Sequence, residues 1–252
     1  RPLSEIYKDI DSMSEYYSGA TKVFLADGDA FNLKTETLVQ ILEYLYSKFE
    51  KLRRVSSYAS PFNLLQKSQE EIQTIKDAGL TLVYYGIESG NYEILKAINK
   101  PMRPEKMVEG LNKATKAGIK ISATVILGLG GKSFSKQHID DTAKLINSCD
   151  HINFLSTLQL NLADTKEDDY FRKFDKSIGE FIWCSDNEML EEQVSFISQI
   201  QSEKPIIFRS NHASNSLPLK GNLPKDKEKL LEVLGYALDH EDMLRPRHLR
   251  SL

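Results

Sequence analysis

The stretch Leu82–Lys100, LVYYGIESGNYEILKAINK, constrains the fold more than any other part of the chain. The apolar run Leu82, Val83, Tyr84, Tyr85 reads as a buried strand. It ends in Gly86-Ile87-Glu88-Ser89-Gly90, and a helical pattern follows at once through Tyr92, Leu95 and Ile98. The strand therefore delivers a carboxylate, a hydroxyl and two glycines to its C-terminal end. In parallel α/β proteins that end is where ligands bind.

The same unit recurs along the chain. Helical spacing over Leu3–Tyr17 leads to a short apolar strand, Val23-Phe24-Leu25-Ala26, which ends at Asp27-Gly28-Asp29-Ala30. A helical pattern over Thr35–Phe49 precedes a strand over Arg54–Tyr58. Ser68-Gln69-Glu70-Glu71 reads as a capping box opening a helix through Ala78, closed by Gly79. Pro104 starts a helix that ends at Ala117-Gly118, and Lys120–Leu127 is a β-branched strand ending at Gly128-Leu129-Gly130-Gly131. Ser135–Ser148 is helical, and His151–Leu160 is a strand ending at Asn161. Strands alternating with helices predict a parallel sheet with right-handed crossovers, as a barrel, a partial barrel or an open doubly wound sheet. Because the chain opens on a helix, a further strand is expected upstream of Arg1.

After Asn161 the rhythm changes. Residues 163–176 are charged and weakly patterned, which predicts a loop and a short helix. Asn187–Gln201 reads as a helix capped by Ser185 or Asp186, Pro205–Ser210 as a last strand, Lys225–Leu238 as a last helix and Leu244–Leu252 as a basic tail. Two domains are expected, a core over 1–162 and a C-terminal extension over 163–252.

A formal charge of −3 with 27% charged residues gives no support for non-specific binding to nucleic acid. No apolar run approaches the ~18 residues a membrane-spanning helix needs. The two cysteines, Cys149 and Cys184, form neither a disulfide framework nor a Cys-x-x-Cys metal site, so reduced thiols in a cytoplasmic protein are expected.

Each strand tip supports two readings. Asp27 and Asp29, around a permissive glycine, suit an ammonium group or a metal, or else cap the following segment. Glu88 and Ser89 suit ribose hydroxyls or an amino group, or else cap the helix near Tyr92. Gly128-Leu129-Gly130-Gly131-Lys132-Ser133 lacks the first glycine of a phosphate loop, where Val125 stands instead. It suits a flat edge for a purine, or is a plain connecting loop. Arg209, Asn211, His212 and Asn215 form a dense polar run that suits a polar substrate. The remaining histidines, His138, His151, His240 and His248, have no partner at metal spacing, and a lone histidine is usually structural.

In this order the tips resemble the radical S-adenosylmethionine (SAM) superfamily. VFLADGDAF is similar to its second strand and the motif that binds the methionyl amino group. GIESGNYEILKAINK resembles the fourth-strand segment of the Elongator-like and methylthiotransferase-like members. GIKISATVILGLGG resembles the fifth strand, which stacks on adenine, and LSTLQLNL the sixth. The resemblance implies a partial parallel (β/α)6 barrel whose first strand is missing, followed by a C-terminal α/β extension. It implies SAM and a [4Fe–4S] cluster as cofactors, and reductive cleavage of SAM to a 5′-deoxyadenosyl radical that takes hydrogen from a substrate. A reductant such as flavodoxin or ferredoxin is implied as partner. By the same resemblance Asp27, Gly28, Asp29 and Ala30 seat the methionyl amino group. Glu88 and Ser89 meet the ribose or methionyl part, and Ile126, Gly128, Leu129, Leu160 and Asn161 flank the adenine.

Two departures accompany the resemblance. The Cys-x-x-x-Cys-x-x-Cys motif is absent, so its ligands are expected upstream of Arg1 and this chain alone is expected to be catalytically silent. The methionyl tip is Asp27-Gly28-Asp29-Ala30 rather than Gly-Gly-Glu-Pro, and Lys132-Ser133 stand near the tip where the family has a glutamate. The competing readings are a barrel lyase or aldolase with phosphate loops, disfavoured by the lack of a lysine in His151–Leu160, and a non-catalytic scaffold.

Overall fold

Apolar runs and apolar stripes alternate through the computed structural model as they do in the sequence. The structure describes residues 1–26, 29–162 and 164–250, with the side chains of 164–166 left aside. In chain order the elements are α1 (Leu3–Tyr16), β1 (Lys22–Leu25), α2 (Thr35–Lys48), β2 (Arg54–Tyr58), α3 (Pro61–Gln66), α4 (Gln69–Asp77), β3 (Leu80–Glu88), α5 (Tyr92–Ala97), α6 (Pro104–Lys116) and β4 (Lys120–Leu127). Then follow α7 (Gly131–Asn147), β5 (Phe154–Gln159), α8 (Asp164–Ser177), α9 (Asp186–Gln199), β6 (Ile206–Ser210), β7 (Leu219–Leu223) and α10 (Lys227–Asp239).

The strands hydrogen-bond in chain order, β1 to β7, in one sheet that does not close on itself. The β1–β2, β2–β3 and β5–β6 pairs are parallel. The β6–β7 pair is antiparallel, so the sheet is mostly parallel and ends on a reversed strand.

By internal contacts the chain divides into two units, residues 1–85 with 109–122, and residues 86–108 with 123–252. In the first, α1 packs on α2 and α2 on α4. Tyr7 stacks on Tyr44 at 4.1 Å, and the Tyr44 hydroxyl donates to Asp11. The capping box expected at Ser68 forms: Ser68 accepts from the Glu71 amide while Glu71 accepts from the Ser68 amide. Phe31, Leu38, Leu42, Ile72, Ile75 and Leu80 are fully enclosed. Each such side chain contributes about 1.5–3 kcal/mol of burial.

In the second unit α7 packs on α9, α9 on α10, and α10 on β7. Two elements here depart from the sequence expectation. Residues 164–177 are a single long helix, because Tyr170, Phe171 and Phe174 pack with Ile94, Leu129 and Phe181. That aromatic stripe lies hidden among charges in the sequence. Strand β7 is a second addition, because the sequence expectation places the last strand at Pro205–Ser210. Pro218 and Pro224 sit outside the strand, and Leu219, Gly221 and Leu223 alternate inward.

Candidate functional site

The tip of β3 is bent by strain. Glu88 has φ +62°, a region a glutamate rarely enters, and the Ser89 amide donates to the Ile87 carbonyl at 2.7 Å. A bond from residue i+2 back to i across a positive φ is the rare, strained form of γ-turn. Strain of this kind costs on the order of 1–3 kcal/mol and gathers at functional sites. The Glu88 carboxylate folds back over Gly86, where a Cβ would lie 2.4 Å from Oε1. A Cβ at position 86 would push that carboxylate off its present place. Lys100 donates to the same oxygen from an exposed position.

The turn is held from behind by α7. The buried Ser89 hydroxyl donates to His138 Nδ1 at 2.8 Å, and His138 Nε2 donates to the Ile126 carbonyl at 2.9 Å. A carbonyl can only accept, so Nε2 carries the proton. Burial pushes the His138 pKa down to about 4, and the ring is neutral. The Gly90 amide donates to Thr142 Oγ1 at 2.8 Å, and Asn91 Nδ2 donates to Asp141 at 2.7 Å. Asn91 Oδ1 caps α5 by accepting from the Ile94 amide. A Cβ on Gly90 would lie 2.2 Å from the Asp141 carbonyl oxygen. Ser89 is thus closed to a ligand, and its hydroxyl holds the tip instead of meeting ribose. His138, which the sequence offered only as a lone histidine, joins the β3 tip to β4.

The tip of β4 is held by a different chemistry. Gly128 has φ +77°, and a Cβ there would meet Met189 Sδ at 3.0 Å. Its amide donates to Glu192 Oε2 at 2.6 Å. Met189 and Glu192 lie one turn apart on α9, so the helix closes on the glycine with a thioether and a carboxylate. Glu192 is 3% exposed and its Oε1 has no hydrogen-bond partner among the described residues. Burial pushes its pKa up to about 7, against the pull of the Gly128 amide and the Ser135 hydroxyl. Leu129 sits in the core cluster with Ile94 and Phe174, so its side chain is enclosed rather than spread beneath a purine. Ile126 and Leu160 are half-buried and Asn161 is exposed, with the Leu160 amide bonded to the Leu127 carbonyl.

The polar run after β6 is divided. Asn215 is buried and committed: Oδ1 accepts from the Gln159 amide, while Nδ2 donates to Thr157 O and Ser210 Oγ. It braces β5 and is closed to a substrate. His212 Nδ1 bonds Ser214. Asn211 and His212 are exposed, and Arg209 is half-buried.

In the first unit the β1 tip falls partly outside the described residues, which omit Asp27 and Gly28. Asp29 and Ala30 line a cavity of about 800 Å³ together with Tyr17, Phe24, Leu25 and Leu45. Asn63 donates to Asp29 Oδ2, whereas the buried Oδ1 has no hydrogen-bond partner among the described residues. Burial pushes the Asp29 carboxyl above its ordinary range, opposed by Ser60 and the amides of Phe31 and Asn32.

The residues present do not fit an iron–sulfur cubane. The chain has two cysteines, Cys149 and Cys184, and burial pushes both thiols up to about 12. Thiolate, not thiol, binds iron. Among the described residues no group of three His, Cys, Asp or Glu side chains could hold a metal ion.

Known proteins supply the family. No curated protein sequence matches the chain. Among solved structures, coproporphyrinogen III oxidase (HemN) from Escherichia coli, described as a radical SAM enzyme, superposes with TM-score 0.59 at 17% identity, over 78% of this chain and 45% of that one. Elp3 from Methanocaldococcus infernus gives 0.56 at 16%, over 94% and 59%. The methyltransferase TsrM from Kitasatospora setae, solved with cobalamin and a [4Fe–4S] cluster, gives 0.53 at 14%, over 96% and 54%. These likenesses concern the fold, and the chain spans about half the length of each of these proteins. The Radical SAM superfamily model matches residues 1–146. With more than half of its length matched in this way, the chain belongs to the radical SAM superfamily.

Proposed function

We propose that this chain is the SAM-binding and substrate-facing part of a radical SAM enzyme. Members of the superfamily are enzymes that generally use SAM and a [4Fe–4S] cluster. The reaction assigned is radical generation from SAM and hydrogen abstraction from a substrate, with a flavodoxin or ferredoxin as reductant in the cytoplasm. The side chains of this chain do not themselves supply a cluster site, because its two thiols are held protonated by burial. Among the described residues no helix is long and apolar enough to cross a membrane.

The observation that carries the reading is the strained turn at Glu88, kept in place by the rigid Ser89–Asn91 seat. Strain persists where the surrounding structure over-determines it, and it fixes a carboxylate at the strand tip. Glu88 then accepts hydrogen bonds from the ribose or methionyl part of SAM. Asp29 supports the reading from its own unit. Its buried Oδ1, without a hydrogen-bond partner among the described residues and beside a cavity, is an acceptor suited to the methionyl ammonium.

Calorimetric titration of SAM into the chain tests the reading. Glu88→Ala and Asp29→Asn should each weaken binding at least about tenfold, the equivalent of ~1.4 kcal/mol. Unchanged affinity in both variants, or no binding of SAM by the wild type, would overturn it.

A further inference from the structure

In the second unit, helices cover one face of β5–β7. Gln193 of α9 donates to Thr157 on β5, and Leu230 of α10 lies against Gly221 on β7. Phe208 of β6 is the register partner of Gly221 and is fully buried on that face. The opposite face is different. Ser156 pairs with Arg209, and Arg209 pairs with Lys220, so a hydroxyl and two cations stand in one cross-strand row.

Directly opposed like charges destabilise a sheet. Elsewhere the protein pairs such groups, as in Arg250 with Asp186 and Lys132 with Glu188. Arg209 and Lys220 make no ion pair with any described residue. Arg209 donates to the Phe208 carbonyl at 2.7 Å and reaches the Gly221 carbonyl at 3.5 Å, which leaves most of its donors unspent. One step along the strands, on the same face, Ile207 lies half-buried two residues from Arg209, and its register partner is Phe154. The face therefore offers donors and positive charge at one level and apolar ground at the next.

We infer that the row Ser156–Arg209–Lys220 binds an oxyanion, a carboxylate or a phosphate, and that this is the anionic group of the substrate. The guanidinium fork takes two oxygens, the lysine adds charge, and the serine hydroxyl donates to a third position. Phe154 and Ile207 receive the apolar body of the same molecule. Oxyanion binding stands on this row alone, whereas its assignment to the substrate rests on the radical-enzyme reading.

The test compares sodium phosphate, sodium succinate and sodium chloride at matched ionic strength, by thermal melting and calorimetry of the chain. The wild type should melt higher in phosphate or succinate than in chloride, and the stronger of the two identifies the anion class. Arg209→Gln should weaken that anion at least about fivefold. Lys220→Glu, which turns repulsion into a cross-strand ion pair, should melt about 1–2 °C higher without anion and lose the response. An equal response to the three salts, wild-type affinity in Arg209→Gln, or a lower melting temperature for Lys220→Glu would each overturn the inference. A parallel SAM titration separates the two readings: anion binding without SAM binding leaves the row standing and removes its assignment to a substrate.

Discussion

The two strand tips of the second unit are fixed by opposite means. At β3 the clamp is a shared network: the Ser89 hydroxyl on an uncharged imidazole, the Gly90 amide on a threonine and the Asn91 side chain on Asp141 bind the turn to α7. At β4 the clamp is an ionisable carboxylate, Glu192, buried against one glycine amide. The first spreads its hold over three bonds, each with its partner in place. The second leaves Oε1 without a hydrogen-bond partner among the described residues and has a pKa raised by burial to about 7. A satisfied network rigidifies, and a half-satisfied one costs stability.

The largest expected effect breaks the β3 clamp. Gly90→Ala would drive a methyl into the backbone of α7 at Asp141, which cannot yield as a side chain can. The loss should be about 4 kcal/mol or more, the range reserved for such mechanisms. Denaturant melts that place this variant within about 1 kcal/mol of wild type would show that α7 is not seated on the tip.

The next effect sharpens the contrast through pH. Glu192 rises from 4.5 to about 7, so the stability it permits is present below pH 4.5 and lost as pH climbs to 7. His138 falls from 6.5 to about 4, so its contribution is present above pH 6.5 and lost as pH drops to 4. Each shift is on the order of 3 kcal/mol. Between pH 4.5 and 6.5 the two slopes oppose each other and largely cancel. Glu192→Gln should stabilise the chain at pH 8 by up to ~3 kcal/mol and expose the His138 slope alone. A variant curve parallel to wild type from pH 4 to 8 would mean that Glu192 ionises normally.

The smallest effect removes the Asn91 side chain from the β3 clamp. Asn91→Ala deletes the cap of α5 and the tie to Asp141, for about 1–2 kcal/mol. No measurable change in the melt would place α5's start elsewhere.

The sequence made local structure legible. Ser68 and Ser185 announce helix starts within four residues of their partners, and both capping boxes form. Strand patterns at 54–58 and 120–127 coincide with β2 and β4. Long-range partners were not legible. Ser89 and His138 are 49 positions apart, and Gly128 and Glu192 are 64 apart, so nothing in the local pattern couples them. Helix α8 escaped for a related reason. Its aromatic stripe gains meaning only against Ile94 and Phe181, which belong to other segments.

The Ser89-Gly90-Asn91 triplet has a consequence for how this chain's descendants would diverge. Each of its residues is tied to α7 by geometry that holds with or without a ligand. Selection for folding alone would preserve the triplet in a lineage that had abandoned catalysis. Glu88, whose strained backbone brings folding no evident return, would be among the first positions to drift. A search keyed to the triplet would therefore collect the architecture, active and inactive copies alike, and under the proposed role of Glu88 the residue just before it would sort them.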